Sequence, residues 1–135
     1  MRSWGRTLGL GFIVWLAPFV VAFLAFRIRE NARPLFESIM AVTVTATAVV
    51  LGLVYLKRND SARAREGLAL GMIWFVMCVL IDAPLMLFGG PMKMSFGAYM
   101  ADIGLTYAVI PIVTWGLGAA RAGIREALNR KAGAQ

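Results

Sequence analysis

A chain of 135 residues that is 60% hydrophobic, only 16% charged and has a mean hydropathy of +0.74 is too apolar for a soluble domain, where about 45–50% apolar and about 25% charged residues are usual. Its net charge of +7 sits at the ends of apolar runs, where anionic headgroups and insertion into a bilayer require it, and this weighs against nucleic acid as the partner. A single cysteine, Cys78, allows no disulfide within the chain, and the lack of histidine removes bis-histidine haem ligation, ordinary zinc sites and histidine proton relays.

The fold class expected is an all-α membrane protein: one polytopic domain over residues 1–135, with transmembrane helices at about 8–26, 35–56, 68–88 and 96–119. Each run is long enough to cross about 30 Å of hydrocarbon at about 1.5 Å per residue. The first follows Arg2 and Arg6, holds Pro18 at its middle and ends on Arg27-Ile28-Arg29 with no small-residue cleavage site, so it reads as a retained helix and not a signal peptide. The second begins after Pro34, a residue suited to a helix start, and closes on Lys57-Arg58-Asn59-Asp60-Ser61. Asp60 or Ser61 is placed to cap the third helix. Gly89-Gly90-Pro91 breaks the chain before the fourth. A short basic amphipathic helical tail, 120–135, continues the fourth, with Ile124 and Leu128 on one face and Arg121, Arg125, Arg130 and Lys131 supplying cations for anionic lipid.

Orientation follows from the basic residues. Arg2, Arg6, Lys57, Arg58, Arg63, Arg65, Arg121, Arg125, Arg130 and Lys131 fall on one side, and Arg27, Arg29, Arg33 and Lys93 on the other. The positive-inside rule then predicts an N-in, C-in protein of the cell inner (plasma) membrane, with both termini cytoplasmic.

Two acids lie within the predicted crossings. Asp82 stands six residues before Phe88 on the third helix and Asp102 six residues after Phe96 on the fourth, which sets both at about 9 Å inside the outer boundary. A carboxylate in hydrocarbon is expensive and marks the first place to look for function. Without a partner it takes up a proton; with one it stays ionised. Two carboxylates held close would share a proton. Thr106 at i+4 and Tyr99 at i−3 share a helix face with Asp102 and are its expected helpers. The alternative is structural: Arg27, Arg29 or Arg33 reaching down from the outer loop to lock the aspartates as ion pairs, or Asp82 bracing the bend at Pro84.

Weaker patterns accompany these. Thr43 and Thr47 offer hydroxyls at mid-membrane, although threonines more often bond their own helix backbone. Pro18, Pro84 and Pro111 each remove a helix hydrogen bond and distort the span. Met86, Met92, Met94 and Met100 gather round the outer hairpin with thioethers that suit copper(I), but Lys93 within the cluster opposes a cation. Gly67-x-x-x-Gly71 permits close helix approach and, with the small residues of the fourth helix, favours a homo-oligomer or a membrane-complex partner. Trp4, Trp115 and Trp74 suit the inner interfacial belt, whereas Trp15 is deep enough to pack.

Val79-Leu80-Ile81-Asp82 lacks the Gly-x-Gly-Asp run of presenilin-like proteases, and the first helix lacks the glutamate of small multidrug transporters. No nucleophile motif points to an enzyme, and no cofactor is expected. The residues point to a proton- or cation-coupled transporter or channel using Asp82 and Asp102. The rival is a non-catalytic membrane subunit or scaffold of a larger complex with structural aspartates.

Overall fold

A computed structural model describes residues 4–59, 63–89 and 93–134. Asp60, Ser61, Gly90, Pro91 and Met92, to which the sequence assigned caps, a break and a thioether, lie outside the described residues. The chain is all-helical among the described residues: α1 (Trp4–Leu24), α2 (Phe26–Asn31), α3 (Arg33–Lys57), α4 (Ala64–Phe88), α5 (Phe96–Tyr99), a π-helical turn (Met100–Gly104), α6 (Leu105–Tyr107) and α7 (Val109–Gly133). Four of these stretches are long and apolar enough to cross a membrane: α1, α3, α4 and the joined segment Phe96–Gly133.

Local chemistry explains most of the boundaries. Pro34 stands in the first turn of α3, where its missing N–H costs nothing. Glu66 lies in the first turn of α4, a favourable place for an acid, and accepts a 3.1 Å hydrogen bond from Asn59 in the preceding turn. Ser95 caps α5 by accepting from the Ala98 N–H. Pro18 and Pro84 are accommodated inside α1 and α4.

Two spans depart from the uninterrupted helices expected. The first stops at Leu24, and Ala25 (φ −89°, ψ 7°) turns the chain into the separate α2, which carries Arg27 and Arg29 onto α3. The fourth is interrupted twice. The Leu105 N–H reaches back to the Met100 carbonyl, five residues earlier, closing a π turn. At Ala108 the ladder breaks again, three residues before Pro111, whose ring nitrogen has no proton for the Tyr107 carbonyl. The helix then runs without a break to Gly133.

The bundle consists of two antiparallel hairpins, α1 with α3 and α4 with α7, joined through α1–α4 and α3–α7 contacts. Val14, Val44, Ala48, Leu70, Trp74, Cys78 and Ile110 fill its centre and are fully buried. Large apolar side chains such as Phe23, Leu24, Val42, Leu80, Leu105 and Ile112 face outward, as suits a surface bathed in acyl chains. Trp74 belongs to the core and not to the interfacial belt: its Nε1 donates to the Thr7 carbonyl at 2.9 Å, and Gly11 leaves room for its ring. Trp4 and Trp115 are exposed.

The tightest seam is α4 on α7. A Cβ at Gly71 would stand 2.5 Å from Pro111 Cα and collide with Thr114 Oγ1, and one at Gly67 would collide with the Thr114 carbonyl. The glycine pair is therefore used within the chain, where backbone meets backbone. By contrast Gly97, Gly116 and Gly123 have open space around them.

Candidate functional site

Asp82 is buried to 3% of its exposure on α4, two residues before Pro84. The Tyr107 hydroxyl donates to its Oδ2 at 3.3 Å. Tyr99, fully buried on α5, lies within electrostatic range of the same carboxyl, as does the Trp15 indole on α1. Neither the Tyr99 hydroxyl nor Trp15 Nε1 completes a hydrogen bond of standard geometry. Trp15 is held in place by stacking on Phe19, with ring centroids 4.8 Å apart, and by a tilted contact with Phe12. Asp82 thus sits among three aromatic side chains with polar hydrogens. Among the described residues no arginine or lysine is within ion-pair distance of it.

Asp102 has the opposite surroundings. The π turn presents it to α2 and α3, where Arg33 pairs with it at 3.0 Å and Arg29 at 3.9 Å. Arg33 also pairs with Glu37 at 2.8 Å, and the Arg29 guanidinium lies over the Phe36 ring at 5.9 Å. The Asp102 side chain is 21% exposed and that of Arg33 62%, so water screens this network and keeps its contribution small. Arg27, the third arginine considered, makes no ion pair among the described residues; its carbonyl accepts from Asn31.

Both aspartates line one cavity of about 60 Å³, whose polar lining also includes Arg29, Glu37, Thr106 and Tyr107 and whose apolar walls include Phe19, Phe36, Met40 and Met86. That volume admits about two to four water molecules. The expected helpers divide between the two acids. The Thr106 hydroxyl is spent on the Asp102 backbone carbonyl at 3.0 Å. Tyr99, expected beside Asp102, lies with Asp82 instead, because Asp102 belongs to the π turn that starts directly after Tyr99 and alters the i, i+3 register.

The remaining candidates scatter. Thr43 and Thr47 donate to the carbonyls of Ile39 and Thr43, so these hydroxyls serve their own helix. Met86 lines the cavity, Met94 bonds back to the Met86 carbonyl through its N–H, and Met100 folds over Gly104. Among the described residues no group of three or more histidine, cysteine or acidic side chains could hold a metal ion.

No protein-family model, curated protein or solved structure matches this chain.

Trp15 and Tyr107, which complete the Asp82 surroundings, escaped the sequence argument. Trp15 was legible only as a packed aromatic. Tyr107 lies five residues beyond Asp102 and on none of its helical faces, so only the docking of α6 against α4 makes it a partner of Asp82.

Proposed function

We propose that this chain is a small multi-pass transport protein of the cell inner (plasma) membrane, with both termini cytoplasmic. In it Asp82 takes up and releases a proton, or binds a small cation in its place, across the cavity shared with Asp102. One observation carries the reading: a carboxyl buried to 3% in a membrane span, on the wall of a cavity, with no cation paired to it among the described residues. Acids kept in a membrane for structure are expected to be paired, as Asp102 is, whereas one that exchanges a proton has to be free to do so.

The parts have distinct tasks. Tyr107 holds the carboxyl with a hydroxyl able to hydrogen-bond either of its protonation states, and Tyr99 is buried beside it. Asp102, with Arg29 and Arg33, forms the charged mouth. The cavity lies on the side of the bundle where α3 begins, and beyond it the fully buried Cys78, Trp74 and Ile110 form an apolar seal. Passage requires that seal to repack, for which Pro18 and Pro84 supply weak points in α1 and α4. Assembly of several copies, or with a membrane partner, is part of the proposal, since Gly97, Gly116 and Gly123 leave close-approach surfaces on the outside.

The test is proton flux into proteoliposomes loaded with a pH-sensitive dye, with sodium or potassium on the opposite side. Asp82→Asn preserves shape and an acceptor for Tyr107 but cannot exchange a proton. It should abolish flux while membrane insertion and resistance to denaturing detergent stay near wild type. Asp102→Asn should slow flux only severalfold. An Asp82→Asn protein that transports normally, or that fails to fold, sinks the proposal.

A rival reading, a non-transporting subunit or scaffold of a larger complex, draws on the Arg33–Asp102–Glu37 network, which is a structural lock in form. It predicts co-purification with a partner and no flux from the pure protein.

A further inference from the structure

At the opposite end of the bundle from Asp82, α7 outruns its neighbours. Gly118 abuts Arg63 at the start of α4, where a Cβ would stand 2.8 Å from the Arg63 carbonyl oxygen. From there to Gly133 about 22 Å of helix continues past the start of α4, and only its first turns lie beside the end of α3. Between α3 and α7 lies an open groove of about 470 Å³, with Leu53, Leu117, Ile124 and Leu128 on its apolar surface and Arg121 and Arg125 on its rim. This volume is within the range of small-molecule sites.

We propose that this groove binds one anionic phospholipid, its phosphate between Arg121 and Arg125 and an acyl chain along Leu53, Ile124 and Leu128. The two arginines stand at i and i+4, which brings their bases about 5–6 Å apart on one helix face. Guanidinium forks match phosphate oxygens in shape as well as charge. Arg121 is already steered across the groove: its Nη2 donates at 3.4 Å to the Lys57 carbonyl, at the negative end of the α3 dipole. The groove joins the apolar outside of the bundle to a basic helix, the level at which acyl chains give way to headgroups. A zwitterionic headgroup would bring its own cation against these arginines. A second copy of the chain would bring two more arginines, and like charges oppose that pairing.

The inference is independent of what Asp82 does, and its test has its own readout. Purified full-length protein in neutral detergent is titrated with dioleoyl phosphatidylglycerol or dioleoyl phosphatidylcholine, and bound lipid is counted by native mass spectrometry. One phosphatidylglycerol should bind per chain, about thirtyfold tighter than phosphatidylcholine if each arginine contributes as basic residues near an anionic surface do. Arg121→Gln with Arg125→Gln should erase that preference, whereas Arg130→Gln with Lys131→Gln should keep it. Ile124→Ser with Leu128→Ser should weaken both lipids. Excess inorganic phosphate should leave the phospholipid bound. Equal affinity for the two lipids, a preference surviving the first double variant or lost in the second, displacement by phosphate alone, or a lipid-free dimer formed through this face overturns the proposal.

Discussion

The α4–α7 seam can be tested by adding one methyl group. In Gly71→Ala the new Cβ would lie 2.5 Å from Pro111 Cα and against Thr114 Oγ1, where carbon atoms normally rest about 3.5–4.0 Å apart. The Pro111 backbone cannot step aside as a flexible side chain would, so the helices must part locally by about 1 Å, a gap that forfeits about a quarter to a half of each dispersion contact along it. The contacts at stake belong to Leu70, Trp74, Ile110 and Thr114, all fully buried. Overpacking of this kind reaches about 3 kcal/mol, and replacing a helical glycine returns about 1 kcal/mol, for a net loss of about 2 kcal/mol. Gly116→Ala is the control: nothing lies within 4 Å of its Cβ, so only the gain of about 1 kcal/mol remains. Reversible unfolding in mixed micelles, titrated with sodium dodecyl sulfate and followed by tryptophan fluorescence, should separate the two variants by about 3 kcal/mol. Coincident midpoints would refute the packing argument. A change in oligomer mass with an unchanged monomer midpoint would refute it too, by moving the glycine pair to an interface between copies.

Three further outcomes follow from the same contacts. Tyr107→Phe removes the hydroxyl bonded to Asp82 at 3.3 Å and should cost about 1 kcal/mol in the same unfolding assay, with a displaced pH profile of proton flux; an unaltered profile would detach Tyr107 from the site. Arg33→Gln breaks pairs in which the arginine is largely exposed, so the unfolding midpoint should shift little and the shift should vanish in high salt; a large, salt-resistant shift would contradict the screening. Cys78 is fully buried, so a maleimide should label it only after unfolding, and rapid labelling of the folded protein would mean the apolar seal opens readily.

How much the chain discloses in advance depends on the range of the interaction. The four crossings are readable from the apolar runs ending at Phe26, Leu56, Phe88 and Ala119 because a span in lipid must bond its backbone within itself, which makes its existence a local property. Asp82 and Asp102 stand out for a similarly local reason, the cost of an acid within an apolar run of that length. Which of them finds an arginine is not local. The π turn at Met100–Gly104 re-aims Asp102 toward Arg29 and Arg33 and separates it from Tyr99, and no glycine or proline pattern announces such a turn.

Sequence by itself determined the all-helical class, the four helices long and apolar enough to cross a membrane, and the presence of two acids within them, since apolar run length and charge placement suffice for each. Only the tertiary structure decided that Asp102 is paired while Asp82 is not, that Trp15 and Tyr107 join Tyr99 around Asp82, and that Gly67 and Gly71 serve α7 of the same chain. Those outcomes rest on the rotation of each helix about its axis. Packing sets that rotation, through close approaches such as Gly71 on Pro111, between residues far apart along the chain.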